Sequence, residues 1–142
     1  MIVAQILASK GRDVATTSPE KTIAAVATEL AARRIGALVV VERGHLIGIV
    51  SERDIVKAIG FNGLDVLGDP VASIMIRDVV TCREWEKINT VMARMTRRRF
   101  RHLPVVEEGG VVGVISIGDL VKAVIEEQRQ ELGQLQQYIT GG

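Results

Sequence analysis

Residues 48–59 read GIVSERDIVKAI and residues 113–124 read GVISIGDLVKAV, so this short chain contains nearly the same segment twice. Sliding the sequence against itself by 65 positions aligns residues 14–59 with residues 79–124 without a gap, and 17 of those 46 pairs are identical. A glycine, a serine, an aspartate and a lysine recur at fixed places in both segments. The chain is therefore a tandem duplication.

A shorter segment of weaker similarity precedes each copy. Residues 3–7 read VAQIL and residues 71–75 read VASIM, which places them 68 positions apart. We expect each copy to open with a short helical turn of this sequence.

The hydrophobic pattern predicts the order β-α-β-β-α within each copy. Residues 23–30 have helical spacing, whereas residues 37–41 and 46–50 are short apolar runs separated by a turn glycine, which is typical of a β-hairpin. The second copy repeats this order over residues 88–96, 103–106, 111–115 and 119 onward. We predict an α/β (α+β) fold in which two such repeats cover each other's sheets as a pseudo-twofold pair. The predicted boundaries are repeat 1 at residues 1–60, a linker at 61–69, repeat 2 at 70–126 and a helical tail at 127–142.

Composition excludes several classes of protein. Lysine and arginine number 18 against 17 acidic residues, so no overall charge favours nucleic acid or anionic lipid. Cys82 is the only cysteine, which rules out an intramolecular disulfide and a cysteine zinc cluster. The first ten residues lack the features of a secretory signal, and the longest apolar run, residues 37–41, is too short to span a bilayer. We expect a soluble protein of the cytoplasm.

Two longer stretches carry a family resemblance. RIGALVVVERGHLIGIVSERDIV (34–56) and RRFRHLPVVEEGGVVGVISIGDLV (98–121) resemble the cystathionine-beta-synthase (CBS) domain pair, also called a Bateman module. The resemblance covers roughly residues 1–126. It implies that clefts between the repeats bind an adenosine-containing ligand such as AMP, ADP, ATP, NAD(H) or S-adenosylmethionine. It also implies regulation of a partner domain or protein.

The repeated S-x-x-D motif has two interpretations. Ser51 with Asp54, and Ser116 with Asp119, fit a capping box at the start of a helix. A carboxylate at a strand-to-helix junction can also accept the hydroxyls of a ribose, as it does in dinucleotide-binding folds. We assign Asp54 and Asp119 as ribose ligands and expect the serine hydroxyls and helix-start amides to suit phosphate oxygens.

The resemblance implies that each pocket draws residues from both copies. The pocket of Asp119 is expected to contain Ser18, Ile35, Gly36, Ala37, Arg101, His102, Val114 and Ser116. The pocket of Asp54 is expected to contain Ile49, Ser51, Arg53, Arg83, Phe100 and His102.

The two pockets cannot be equivalent, because the copies differ at several of these positions. Arg101 and His102 replace Gly36 and Ala37 of the first copy. Arg101 offers a bidentate fork to phosphate, and His102 adds a pH-sensitive donor. A packed core histidine is the alternative for His102.

An arginine run from Arg94 to Arg101 leaves a different function open. It contains five arginines and no acid, and it predicts a helix face that is solvated or pairs with acids of a partner subunit, or else a nucleic-acid surface. The near-neutral total charge and the presence of only four aromatic residues argue against nucleic acid.

The tail places Leu132, Leu135 and Ile139 on one helical stripe, which favours a homodimer.

No Walker loop, GxGxxG, HExxH or nucleophile–base–acid set is present in the sequence, so we expect a non-enzyme. The leading hypothesis is a regulatory module that senses adenine nucleotides or NAD(H) and acts on an effector protein in trans. The alternatives are a nucleic-acid binder and a ligand-independent dimerisation scaffold.

Overall fold

Five helices and two small sheets form the fold in the computed structural model, which describes residues 1–140. In chain order the elements are α1 (Val3–Lys10), β1 (Thr16–Thr17), α2 (Ile23–Arg33), β2 (Ala37–Glu42), β3 (His45–Ser51), α3 (Glu52–Asn62), α4 (Ile88–Arg98), β4 (His102–Glu107), β5 (Gly110–Ser116) and α5 (Ile117–Thr140). Short 3-10 helices occupy Leu64–Gly68 and Val71–Ser73. The predicted mixed α/β fold is confirmed, and the predicted order of elements is complete in the first copy.

The two hairpins have the same register. In the first, β2 runs antiparallel to β3 and pairs Ala37 with Ser51. In the second, β4 runs antiparallel to β5 and pairs His102 with Ser116. Each repeated serine thus lies at the end of its hairpin, immediately before a helix. The register places the first turns of α3 and α5 at corresponding points of the two halves.

The first strand of each copy is very short. In the first copy β1 has two residues, which pair in parallel with β2. In the second copy the corresponding strand is a single parallel bridge between Cys82 and Val105. The side chain of the next residue, Arg83, donates to Glu107 Oε2 at the end of β4 at 2.9 Å.

The helical turns that open the two copies are exchanged between the halves. Helix α1 packs its buried residues Val3 and Leu7 into the core of the second copy, and the amide of Val3 donates to the carbonyl of Glu86 at 2.9 Å. In return, Val71 and Met75 lie in the core of the first copy. Burial of these apolar faces links the two halves. The segment that opens each sequence repeat is therefore packed in the core of the other repeat.

Helix α5 continues without a break from the second repeat into the predicted tail. It has 24 residues, and its last described residue is Thr140; Gly141 and Gly142 of the predicted tail lie outside the described residues. The predicted linker is partly helical, because α3 extends to Asn62 and a 3-10 helix follows. Within residues 1–140, no helix has the combination of length and apolar character that crossing a bilayer requires.

Candidate functional site

A cleft of about 720 Å³ lies between the two copies, beside the start of α3. The first copy contributes the end of β3 and the first turns of α3, and the second contributes the segment between α4 and β4. The volume is in the range of small-molecule sites. The lining residues are Gly36, Ile49, Ser51, Glu52, Arg53, Asp54, Val56, Lys57, Ile76, Arg99, Phe100, Arg101 and His102.

Asp54 caps the helix that lines this cleft. Its Oδ2 accepts hydrogen bonds from the backbone amide of Ser51 at 2.8 Å and from the Ser51 hydroxyl at 2.9 Å. The amide of Asp54 donates to Ser51 Oγ at 3.3 Å. The capping interpretation of S-x-x-D is therefore observed. Within residues 1–140, Asp54 Oδ1 has no hydrogen-bond partner, so capping leaves one carboxylate oxygen for another donor.

Asp119 makes the same cap at the start of α5 and has an additional partner. Its Oδ2 accepts from the amide of Ser116 at 2.8 Å and from Lys10 Nζ at 2.6 Å. Burial opposes ionisation of this carboxyl group, but the hydrogen bonds from Lys10 and Ser116 outweigh it and lower the pKa of Asp119. Lys10 Nζ also donates to the carbonyl of Val114 at 2.6 Å. The two halves therefore differ in how their aspartates are engaged.

His102 lies where the two copies meet. A Cβ on Gly36 would sit 2.8 Å from His102 Nε2, so the ring packs directly against the Gly36 backbone. Burial, reinforced by the nearby charge of Lys10, lowers the pKa of His102. The lowered pKa favours the neutral imidazole, which lies in the wall of the cleft.

The structure brings most residues predicted for the Asp54 pocket together. Five of the six line the cleft with Asp54, but Arg83 does not, because its guanidinium pairs with Glu107 at 2.9 Å.

The residues predicted for the Asp119 pocket are divided. Gly36, Arg101 and His102 line the Asp54 cleft. Val114 and Ser116 lie next to Lys10 and Asp119. The remaining three belong to the first copy: Ser18 lies in the loop after β1, Ile35 packs against the first core, and Ala37 begins β2.

Several cleft residues were missed at the sequence level. Lys57 lies one turn after Asp54 on α3, and its identity with Lys122 in the second copy was a usable signal. Arg99 ends α4 in a left-handed conformation with φ 59°, as Arg34 ends α2 with φ 55°. Ile76 enters through the exchanged segment, which periodicity does not reveal.

The predicted arginine run does not form one surface. Arg94 donates to Glu86 and to the carbonyl of Thr81. Together with Arg97 and Arg98, it lines a groove of about 410 Å³ near Asp78. The two remaining arginines, Arg99 and Arg101, lie in the Asp54 cleft.

Cys82 is buried in the core of the second copy. Burial, with a smaller contribution from Glu86, raises the pKa of the Cys82 thiol to about 12. Because the thiolate is the nucleophilic form, this cysteine is poorly suited to covalent chemistry.

Comparison with known proteins identifies relatives over nearly the whole chain. The family model of the CBS domain matches residues 3–60 and again residues 71–126. The chain is 34% identical to the mitochondrial CBS domain-containing protein CBSX3 of Arabidopsis thaliana, over 99% of this chain and 72% of that protein.

Solved structures agree with this match. The CBS-domain containing protein ATU1752 from Agrobacterium tumefaciens is 44% identical, with a TM-score of 0.84 over 87% of this chain and 98% of that one. The CBS domain pair of protein MJ0100, solved in complex with 5'-methylthioadenosine and S-adenosyl-L-methionine, is 27% identical. Its TM-score is 0.79, over 89% of this chain and 98% of that one.

Proposed function

We propose a nucleotide-sensing regulatory role for this chain, which belongs to the CBS domain family as a tandem pair of such domains. In this proposal an adenosine ligand carrying phosphate, such as AMP, ADP, ATP or NAD(H), binds in the Asp54 cleft. The bound ligand shifts the geometry of the pair, and an effector protein responds to that change. One observation carries the proposal: a cleft between the copies combines a capping carboxylate, several cations and apolar walls.

The charges of the cleft favour a phosphate-bearing ligand. Arg53, Lys57, Arg99 and Arg101 line it against two acids, Glu52 and Asp54, in addition to His102. The first-turn amides of α3 add positive potential on the same side. Two excess cations favour anions and disfavour the sulfonium cation of S-adenosylmethionine. We therefore expect di- and triphosphates to bind more tightly than AMP, and S-adenosylmethionine to bind weakest.

The remaining parts of an adenosine ligand also find suitable groups. Asp54 Oδ1 is available to accept a ribose hydroxyl, because only Oδ2 is used in the cap. Ile49, Ile76 and Phe100 provide apolar surface for a base. The adenosine compounds bound to the MJ0100 pair support this choice of ligand class.

Calorimetric titration with ATP, AMP, NADH and S-adenosylmethionine tests the proposal. An ionic hydrogen bond contributes about 1.5–3 kcal/mol, so Asp54→Asn, which keeps a cap acceptor but loses the charge, should weaken ATP binding about tenfold or more. Asp65→Asn on the exposed 3-10 helix is the matched control and should bind as the wild type does. No binding of any of the four compounds, or equal ATP affinity in Asp54→Asn, would contradict the proposed site.

A nucleic-acid function has less support, because the arginines of the run are divided between two different surroundings and Arg94 is paired with Glu86. Salt-dependent retention on nucleic acid that is lost in an Arg97→Ala, Arg98→Ala variant would favour it instead. A dimer indifferent to every nucleotide would favour the scaffold.

We also propose that two copies pair through α5. Val121, Ile125, Leu132, Leu135 and Ile139 are 45–71% exposed and lie on one stripe of this helix. A two-fold pair covers the same stripe on both copies at once.

A location in the cytoplasm, which the single free cysteine favours, stays a prediction.

A further inference from the structure

The carboxylate of Asp119 is already neutralised by a residue of the same chain. Lys10 Nζ lies 2.6 Å from Asp119 Oδ2 and 2.6 Å from the carbonyl oxygen of Val114. The side chain of Asp119 is 24% exposed and that of Lys10 is 40% exposed. A single ammonium group therefore uses one side-chain acceptor and one backbone acceptor at the end of β5 and the start of α5.

The position of Lys10 is fixed by the packing of its helix. It is the last residue of α1, whose residues Val3 and Leu7 are fully buried in the second core. The backbone amide of Val3 donates to the carbonyl of Glu86, and Ile88 donates to the carbonyl of Met1. The packing of this helix therefore fixes the backbone of Lys10 at a place from which its side chain reaches Asp119.

The first half has no equivalent of this contact. The 68-residue offset that relates Val3 to Val71 places Asp78 in the position of Lys10. The side chain of Asp78 is 98% exposed, and its nearest charged partner is Arg98 at 3.9 Å. In the described part of the chain, no lysine or arginine forms an ion pair with Asp54. In the described residues Oδ1 has no hydrogen-bond partner in either aspartate, but an ammonium group lies on Oδ2 only in the second half.

We propose that Lys10 is a specificity-determining residue that closes the Asp119 site, so that the chain binds one nucleotide, beside Asp54, rather than two. This inference rests on the proposed function. A nucleotide that takes the place of the ammonium beside Asp119 must displace Lys10 Nζ from two acceptors, Asp119 Oδ2 and the carbonyl oxygen of Val114, and its affinity there falls by about tenfold or more. At the Asp54 cleft no such displacement is needed.

Calorimetric stoichiometry with ATP tests the inference. The wild type should bind one ATP per chain. Lys10→Met, which keeps the length of the side chain but removes its charge, should bind two, and Lys10→Met combined with Asp54→Asn should keep one tight site. Lys21→Met, at an exposed position before α2, is the matched control and should bind one. Thermal unfolding of each variant, and Lys10→Gln as a second substitution, check that the fold is intact.

The outcomes separate this inference from the proposed function. Two ATP per wild-type chain, or a single ATP for folded Lys10→Met and Lys10→Gln, would overturn the closing role of Lys10 while leaving nucleotide binding in place. Weaker ATP binding at an unchanged stoichiometry in Lys10→Met would instead make Lys10 a ligand contact and would also overturn the inference. If neither the wild type nor the variants bind ATP, the proposed function fails and the inference fails with it.

Discussion

At the scale of single residues, the repeated glycines mark where the exchanged helical turns pack. A Cβ on Gly113 would lie 2.6 Å from Leu7 Cδ2, and a Cβ on Gly48 would lie 2.6 Å from Met75 Sδ. Leu7 and Met75 are themselves 68 positions apart and belong to the opening turn of each copy. Because neither glycine has a side chain, each leaves room for a side chain of the turn that joins the two halves. This explains why both copies contain a glycine at this position.

Gly113→Ala should destabilise the protein by about 1–3 kcal/mol, because the added methyl group collides with a buried leucine in a close-packed core. Urea unfolding at equilibrium measures this change. Gly109→Ala, in the hairpin turn where a Cβ meets nothing within 4 Å, should change stability little. Equal stability of Gly113→Ala and the wild type would contradict the packing described here.

His102 makes the stability of the fold depend on pH. Its pKa is lower in the folded chain than the usual 6.5, because it is buried and lies near Lys10; Arg101 acts in the same direction, and Asp119 and Glu52 act in the opposite one. The unfolded chain therefore binds more protons as the pH falls below about 6.5, so stability decreases in that window.

We expect His102→Gln to flatten this dependence. Its free energy of unfolding, measured by urea titration from pH 7 down to pH 5, should fall less steeply than that of the wild type. His45→Gln, on the exposed hairpin turn, should retain the wild-type slope. A steeper decrease in His102→Gln than in the wild type would show that the sign is wrong.

The local sequence was sufficient to predict the helix caps but not the contacts between residues far apart in the chain. The S-x-x-D spacing predicted that Ser51 and Asp54 meet, because both lie within one helical turn. It could not predict that Lys10 meets Asp119, 109 positions away, or that Arg83 pairs with Glu107. Those contacts depend on how helices and strands dock, which periodicity does not encode.

At the scale of elements, the hairpins and helices followed the hydrophobic pattern closely. The alternation of apolar runs and turn glycines was sufficient for β2 with β3 and for β4 with β5. The exchange of α1 for the 3-10 turn Val71–Ser73 was not predictable, because both segments have the same apolar pattern. Ile76 reaches the cleft only as a result of this exchange.

Helix α5 provides a prediction at this scale. Replacing Leu132 and Leu135 with glutamine removes two apolar side chains, 57% and 56% exposed, from the proposed pairing stripe. Sedimentation equilibrium should show a dimer for the wild type and at least tenfold weaker association for the double variant. The variant Gln134→Ala, Gln137→Ala, off the stripe, should still dimerise. A wild-type monomer at high concentration would contradict pairing through α5.

At the scale of the whole molecule, duplication produces two halves with the same fold and different chemistry. The Asp54 cleft gathers cations from both copies, whereas Asp119 is paired within the chain. Substitutions between the copies, such as Gly36 to Arg101, are sufficient to predict that the halves differ, but not which half is open. That outcome depends on α1, which lies outside the aligned repeats.

The central claim is that a nucleotide binds between the copies beside Asp54. Titration of the ¹⁵N-labelled protein with ATP, followed by amide chemical shifts, tests it most directly because each residue reports separately. The largest shift changes are expected at residues 49–57 and 99–102, with small changes at residues 78–81 and 97–98. Unchanged spectra at saturating ATP, or changes centred on Asp119 or on the groove near Asp78, would contradict it.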